Sequence, residues 1–345
     1  MNFEDWLSTN LGLHERLTDA VVGIISSLLS DSQIDYLSVT GRTKDDIGIR
    51  DKIKRKNYKD PINQLTDISG VRVILFIESD VERVCQLIES AFTIDIGNSS
   101  NRDLLLGSNQ VGYRSVHFVC ELGGARSGLP EFSRFHNLKF EIQVRTVLQH
   151  AWAELAHDRS YKFRNELPQE IQRKLNLYAG LLEIADKGFS EIAEDIDAYS
   201  KGVSEKYKAG NLEVPINSLS LLEYMKDWAA ANEVDVEALG DLSFVDNFGT
   251  ELIHELAEFG ITTIKELDEL CPKGYADEFK KGPIDATVLG IVRSWMLIKD
   301  AKKLLQDIGV DWVLEEGEED YFILELLSTP ENFAVIRRFA RGGDF

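Results

Sequence analysis

The run Gly70-Val-Arg-Val-Ile-Leu-Phe-Ile77 restricts the fold of this chain more than any other segment. It is nearly continuous in apolar residues and rich in β-branched ones, and it is far shorter than the roughly 20 residues that cross a bilayer. Such a run is typical of a strand that is covered on both faces. The chain is therefore expected to form a sheet with this strand in its interior.

Shorter strand and helix patterns alternate around this run. Further strands are predicted at Tyr36–Gly41, Ser115–Leu122 and Leu138–Val144. Helices are predicted over residues 44–56 and 146–157, and another follows Ile77, with Asp80 as its cap. The alternation over residues 35–165 predicts an α/β (α+β) fold, in which helices flank a mixed β-sheet.

The remaining segments are predicted to be mostly helical. Residues 1–34 are expected to form an N-terminal helix, and residues 166–210 one or two amphipathic helices that pack on the sheet domain. The apolar positions of the second segment are Leu175, Leu177, Leu181, Leu182, Ile184, Phe189 and Ile192. Lys208–Pro215 breaks the pattern and is the predicted linker. Residues 215–345 are expected to form an acidic, mostly helical domain of unknown role, with a helix, a turn and a second helix over residues 251–270.

The charge of the chain is distributed very unevenly. The net charge is −21, from 38 basic and 59 acidic residues. Residues 1–165 hold 20 Lys and Arg and 22 Asp and Glu, a net −2, which leaves 18 basic and 37 acidic residues, a net −19, for the rest. This balance argues against extended binding to nucleic acid or to an anionic membrane, because both are rich in phosphate. A local basic pocket for a small phosphate ligand stays compatible with it.

Cysteine spacing and the N-terminus bear on the compartment. Cys85, Cys120 and Cys271 are far apart and include no CxxC pair, which argues against a disulfide framework or a zinc site. The first residues lack the basic-then-apolar order of a signal peptide, and no apolar run is long enough for a membrane span. A soluble, cytoplasmic protein is expected.

Seven basic residues lie between Arg42 and Lys56. If a helix begins near Asp45, the basic residues cannot all lie on one face: Arg50, Lys54 and Lys56 cannot all share the face of Lys52 and Arg55. Only part of the cluster can therefore converge on one ligand. Arg can stack on a base or bind a phosphate with two hydrogen bonds, whereas Lys acts as a point charge. The alternative is a solvated basic helix face.

Acidic and amide side chains are predicted to lie on or next to the strands of the sheet. Asp67 lies at the mouth of the long strand, where it could hold Mg²⁺ or cap a turn. Glu141, Gln143 and Arg145 alternate with apolar residues and therefore project from one face of a strand, which is costly unless that face lines a site. On neighbouring strands, Asp67 and Glu141 would form a carboxylate pair able to hold Mg²⁺ and to accept a proton.

The segment Gly112-Tyr-Arg-Ser-Val-His117 offers a stacking surface and a histidine. Tyr113 follows a glycine that permits a tight turn, and its ring could stack on a base. His117 could serve the same site or could be a satisfied strand histidine.

Together and in this order, these segments resemble the RelA/SpoT-type alarmone synthetase domain of small GTP pyrophosphokinases. The resemblance covers about residues 35–165 and implies a nucleotidyltransferase-like synthetase fold. The matching residues are Arg42-x-Lys44, Lys52, Asp67–Arg72, Gly112–His117, Glu141–Thr146, His150–His157 and Tyr161-Lys162.

The resemblance implies ATP-dependent transfer of pyrophosphate to the 3′-hydroxyl of GDP or GTP, which makes (p)ppGpp. On the donor side it implies that Arg42 and Arg72 sandwich the adenine and that Lys44, Lys52 and Arg55 hold the ATP phosphates.

It further implies that Asp67 and Glu141 bind Mg²⁺ as the cofactor and that Glu141 deprotonates the attacking hydroxyl. On the acceptor side, Tyr113 would stack on the base, and the site would be completed by His117, Gln143 and Arg145.

The chain departs from the family pattern at a few positions, mainly on the acceptor side. Asn109 stands where the family usually has Lys, Val111 where it usually has Asn, and Gly48 where it usually has Ser. Alternative functions are therefore transfer to another acceptor, such as an adenosine nucleotide or the 3′ end of tRNA, and a nucleotide-binding regulatory module whose C-terminal domain docks a partner. Small members of the family are often oligomeric, so a homo-oligomer is a further expectation from the resemblance.

Overall fold

The chain is described as a computed structural model that covers residues 2–101, 115–162, 168–234, 248–282, 287–317 and 321–342. Its contacts divide it into an N-terminal unit, Met1–Ala193, and a C-terminal unit, Glu194–Phe345. The dividing point lies inside a long helix, whereas the sequence placed a linker at Lys208–Pro215.

A mixed sheet forms the centre of the N-terminal unit. Its strands are β1 Tyr36–Thr43, β2 Ser69–Leu75, β3 Thr93–Ile94, β4 Ser100–Asn101, β5 Val116–Glu121 and β6 Phe140–Thr146. The order across the sheet is β1-β2-β6-β5-β3, and β4 pairs with β5. β2 and β6 run parallel, while the other pairs are antiparallel. The predicted mixed sheet is confirmed, and the long apolar run forms the interior strand β2.

Helices flank this sheet as expected. Those of the N-terminal unit are α1 Phe3–Asp31, α2 Asp46–Lys56, α3 Pro61–Gln64, α4 Ser79–Ala91, α5 Gly123–Ser127 and α6 Val147–Lys162. The helix α7, Gln169–Lys208, continues into the C-terminal unit.

The core of the N-terminal unit lies on one face of the sheet. Alternate residues of β2 and β6, such as Val71 and Ile142, are buried against apolar residues of α1 and α4. Because side chains alternate along a strand, the positions between them face the other way. Those positions include Arg72, Glu141 and Gln143, which are partly exposed. This face of the sheet therefore carries polar side chains that can form a site.

The start of α4 differs from the prediction. Asp80 lies inside the first turn, where it is buried and accepts a hydrogen bond from Arg83, and so it is not the cap. The backbone N–H groups of Glu78 and Ser79 instead donate to the Ser190 hydroxyl of α7. A residue more than 100 positions away therefore takes the place that the sequence assigned to a local side chain.

The helix α7 is amphipathic, but its apolar positions are not all buried. Leu177, Leu181, Ile184, Phe189 and Ile192 remain between 52% and 70% exposed. Its buried side in the N-terminal unit includes Asp186, whose carboxylate accepts a 2.6 Å hydrogen bond from the Thr146 hydroxyl at the end of β6. Part of the periodic pattern thus faces solvent rather than the sheet.

The C-terminal unit is helical in its described residues. Its helices are α8 Ser218–Ala231, α9 Phe248–Phe259, α10 Ile264–Leu270, α11 Tyr275–Phe279, α12 Val288–Lys302, α13 Tyr321–Leu327 and α14 Pro330–Ala340. The predicted helix, turn and helix of residues 251–270 are confirmed as α9 and α10, with Gly260 at a φ of 86° between them. No helix among the described residues has the length and apolar character that a bilayer crossing requires.

Candidate active site

The polar face of β1, β2 and β6 carries a pocket. Arg42 lies opposite Gly70 in the register of β1 and β2, and Gly70 in turn lies beside Glu141 of β6. Arg72 is paired in the same way with Thr40 and Gln143. The pocket is lined by Thr40, Gly41, Arg42, Lys44, Asp67, Gly70, Val71, Arg72, Glu141, Gln143 and Glu154.

Two lysines converge on one carboxylate at the edge of this pocket. Lys44 follows β1 and Asp67 precedes β2, and the Nζ of Lys44 lies 2.8 Å from Asp67 Oδ2. Lys52 reaches the same oxygen from α2 at 2.5 Å. Burial by itself would raise the pKa of Asp67, but the charges and hydrogen bonds of the two lysines outweigh burial and lower it. Asp67 is therefore ionised at neutral pH.

Glu141 is held by a chain of hydrogen bonds. His117 Nδ1 donates to Glu141 Oε1 at 2.5 Å, and Ser115 Oγ lies 2.7 Å from the other ring nitrogen of the histidine. The Gln143 amide donates to the same carboxylate oxygen at 3.4 Å. Burial raises the pKa of Glu141 and so does the nearby charge of Asp67, but the hydrogen bond and charge of His117 leave it lowered overall. Asp67 and Glu141 both line the pocket.

A third group of side chains lies where β2 meets α6. Nη1 of Arg72 is 3.1 Å from Oε1 of Glu154, and His150 Nδ1 lies 3.7 Å from the same oxygen. Burial and the charges of Arg72 and Arg145 lower the pKa of His150, so the ring is neutral at pH 7. Arg72 of β2 thus forms an ion pair with a carboxylate of α6, the helix that follows β6.

Not every predicted site residue reaches the pocket. Arg55 is exposed on α2 and does not line it. Arg145 is buried, with its guanidinium hydrogen-bonded to Gln143, and is also absent from the lining. Tyr113, Asn109 and Val111 lie outside the described residues.

Sequence reasoning assigned no role to Glu154. Glu154 is part of the matching run His150–His157, but no residue adjacent to it in the sequence indicates a contact with Arg72. Only its spacing of four from His150 could have drawn attention to it, because residues four apart share a helix face.

The residues around Asp67 suit a magnesium ion. Oδ1 of Asp67 is buried and accepts no hydrogen bond within the described part of the chain, so one carboxylate oxygen is left for a ligand. The described residues contain no group of three or more His, Cys, Asp and Glu side chains placed to hold a metal. Mg²⁺ is commonly held by one or two carboxylates together with substrate phosphates, and the pair of Asp67 and Glu141 fits that mode.

Part of the chain is similar in sequence to a known protein family. Residues 41–166 match the family model described as a region found in RelA / SpoT proteins. The chain is 27% identical over 173 residues to the GTP pyrophosphokinase YjbM of Bacillus subtilis, which covers 49% of this chain and 78% of that protein. It is 28% identical over 160 residues to the GTP pyrophosphokinase YwaC of the same organism, over 45% of this chain and 73% of that protein.

Among solved structures, small alarmone synthetase 2 from Bacillus subtilis is similar, with 26% identity and a TM-score of 0.47 over 55% of this chain and 99% of that one. The family match carries the assignment: the chain contains a RelA/SpoT-type synthetase domain. The resemblance predicted from the ordered motifs is confirmed.

Proposed function

We propose that the N-terminal unit transfers the pyrophosphate group of ATP to the 3′-hydroxyl of GDP or GTP and so makes (p)ppGpp. The observation that carries this proposal is the convergence of two arginines, two lysines and two carboxylates on one face of β1, β2 and β6. Phosphoryl chemistry depends mainly on positioning and on neutralisation of charge, which such a set supplies.

The spacing of the two arginines supports adenine binding. Arg42 lies opposite Gly70 and Arg72 opposite Thr40, so the arginines are diagonal neighbours across two antiparallel strands. Such neighbours are about 7–8 Å apart. A base stacked between two guanidinium planes needs about 7 Å, twice the contact distance of roughly 3.5 Å. The adenine of the donor is therefore expected between Arg42 and Arg72.

The phosphates of the donor follow from the same geometry. Lys44 and Lys52 meet at Asp67, next to the arginines, and would neutralise the triphosphate. Arg55 remains part of the proposal as a phosphate contact, although its side chain is exposed in this structure. Asp67 and Glu141 would hold Mg²⁺, which when bound neutralises charge that develops on the phosphate oxygens.

Glu141 is suited to accept the proton of the attacking hydroxyl. Its lowered pKa keeps it ionised at neutral pH, and His117 fixes the orientation of its carboxylate. The 3′-oxygen then forms a bond to the β-phosphorus of ATP, the bond from the β-phosphorus to the α-phosphate oxygen breaks, and AMP leaves. The hydroxyl proton passes to Glu141.

The acceptor side of the proposal rests on fewer described residues. His117 and Gln143 lie beside Glu141, where an acceptor nucleotide would have to approach. The guanidinium of Arg145 donates a hydrogen bond to the side-chain oxygen of Gln143 and would act by holding that amide in place. Tyr113 is proposed to stack on the acceptor base.

The test is transfer of label from γ-labelled ATP with Mg²⁺ to GDP, GTP, GMP, ADP, ATP or bulk tRNA. Labelled product is expected from GDP and GTP, and its rate should fall by at least about a hundredfold in Glu141→Gln because the proton acceptor is lost. The exposed Glu191 of α7 provides the matched control, Glu191→Gln, which should keep the wild-type rate. Label that appears only in an adenosine nucleotide or in tRNA would replace the guanosine acceptor, and no transfer at all would favour a nucleotide-binding module.

The cellular setting is part of the proposal. A nucleotide-consuming synthetase is expected in the cytoplasm, and fractionation of cells tests that location.

Self-association is supported by the large exposed apolar residues of α7, because monomers rarely expose many of them together. Light scattering of the purified chain at several concentrations would give its mass, and a monomer mass throughout would remove this part of the proposal.

A further inference from the structure

Glu154 occupies an unusual place in the pocket. It is a carboxylate on α6 that lines the same cavity as Arg42 and Arg72. Its Oε1 lies 3.1 Å from Nη1 of Arg72, one of the two side chains proposed to enclose the donor base. Glu154 therefore stands at the rim of the slot in which that base would lie.

The second oxygen of this carboxylate is available to a ligand. The ion pairs that Arg72 and His150 form with Glu154 are made at Oε1, and no described residue donates a hydrogen bond to Oε2. The side chain is 57% exposed, so a ligand can reach it without moving the sheet. An ionised carboxylate only accepts hydrogen bonds, and Glu154 thus offers an acceptor edge beside the slot.

Purine bases differ at the position that such an edge would read. At carbon 6 of the ring, adenine carries an exocyclic amine that donates hydrogen bonds, whereas guanine carries an oxygen that accepts them. A carboxylate attracts the amine and repels the oxygen. A base clamped between two arginines gains stacking energy with any purine, so the slot needs an additional group to select adenine.

We propose that Glu154 is the residue that selects adenine in the donor slot, because its free carboxylate oxygen accepts a hydrogen bond from the exocyclic amine of ATP. This inference rests on the proposed function for the location of the donor base. It assigns to Glu154 a contact with substrate, in addition to its ion pair with Arg72.

Equilibrium binding tests the inference without any need for catalysis. The probes are ATP and purine riboside triphosphate, which has a hydrogen atom in place of the exocyclic amine, each titrated calorimetrically into the full chain with Mg²⁺. The wild-type chain is expected to bind ATP about tenfold more tightly, as one hydrogen bond to a charged, half-exposed group provides. In Glu154→Ala this ratio should fall to about one, while the exposed-site control Glu191→Ala should keep it.

A second variant separates selection of the base from support of Arg72. Glu154→Gln keeps an amide oxygen that can accept from the amine, and so it should retain an intermediate ratio even if both affinities fall. An unchanged ratio in Glu154→Ala, or no preference for ATP in the wild-type chain, would overturn the inference. If the wild-type chain prefers ATP but transfers no label to any acceptor, the proposed reaction fails while the role of Glu154 stands.

Discussion

His14 is a buried histidine whose hydrogen bonds define its protonation state. The Ser69 hydroxyl donates to the backbone carbonyl of His14, so the ring Nδ1, 2.8 Å away, must donate to Ser69 Oγ. Nε2 is buried and has no hydrogen-bond partner in the described part of the chain. Burial lowers the pKa of His14 to about 4. The ring is thus neutral in the folded chain. Its hydrogen bond connects α1 to Ser69, the first residue of β2, which lies two residues after Asp67.

Because of this residue, the free energy of unfolding should decrease as the pH is lowered. Above pH 6.5 the ring is neutral in the folded and unfolded chains, and its contribution is complete. As the pH falls from 6.5 to about 4, His14 becomes protonated in the unfolded chain but stays neutral in the folded chain. This difference lowers the free energy of unfolding by about 3 kcal/mol in total. His14→Gln cannot be protonated, so its free energy of unfolding should vary less between pH 7 and pH 4.5 in urea titrations.

The exposed His136 gives the matched control for this measurement. His136→Gln should retain the pH dependence of the wild-type chain. The assignment would be wrong if His14→Gln lost as much stability on acidification as the wild-type chain does.

At the scale of elements, a residue of α7 caps the start of α4. Glu78 is at the N-cap position of α4 but its side chain does not form the capping hydrogen bond. The hydroxyl of Ser190 instead accepts from the N–H groups of Glu78 and Ser79 at 3.0 and 3.3 Å. The first N–H groups of a helix have no partner within the helix, so an outside acceptor satisfies them. The contact also fixes the position of α7 within the N-terminal unit.

Removal of this cap of α4 should destabilise the N-terminal unit. Ser190→Ala leaves two N–H groups without their acceptor and is expected to cost about 1 kcal/mol of unfolding free energy, the usual effect of a lost helix cap. Chemical denaturation of both proteins measures the difference. Ser27→Ala is the control, because the exposed Ser27 bonds only within α1. Equal stability of the two variants would contradict a capping role for Ser190.

At the scale of the whole molecule, the buried apolar residues of the described ranges form separate clusters in the two units. The core clusters of the N-terminal unit draw on residues from Leu7 to Val144, and the core cluster of the C-terminal unit draws on residues from Val203 onward. The candidate active site is built entirely from the first unit. Each unit therefore has its own source of stability.

Damage to one core should leave the other unit intact. Trp295 is fully buried in the C-terminal unit, and Trp295→Ala is expected to cost that unit about 3–5 kcal/mol. Scanning calorimetry should show one transition lowered and another unchanged, with the rate of label transfer from ATP retained at low temperature. Phe140→Ala, at an equally buried site in the N-terminal unit, should lower the other transition. A uniform shift of all unfolding in both variants would show that the units unfold as one.

The elements near the site were predictable because their signals are local. Alternation in Phe140-Glu-Ile-Gln-Val-Arg145 predicts a strand with one polar face, and β6 has Glu141 and Gln143 on the pocket side. The apolar run from Gly70 predicts the interior strand in the same way. The period of the residues alone determines which side chains share a face, so these positions required no knowledge of the tertiary structure.

Contacts between distant residues were decided only by the tertiary structure. Glu154 meets Arg72 because β2 and β6 are neighbours and α6 follows β6, and the order of strands is not written in any local pattern. The same holds for Ser190 at the start of α4 and for His14 against Ser69. By itself, the sequence determined the family of the domain, the faces of its strands and the location of its basic cluster. The strand order determined which of those side chains meet, because it is set by packing of the whole chain rather than by any one segment.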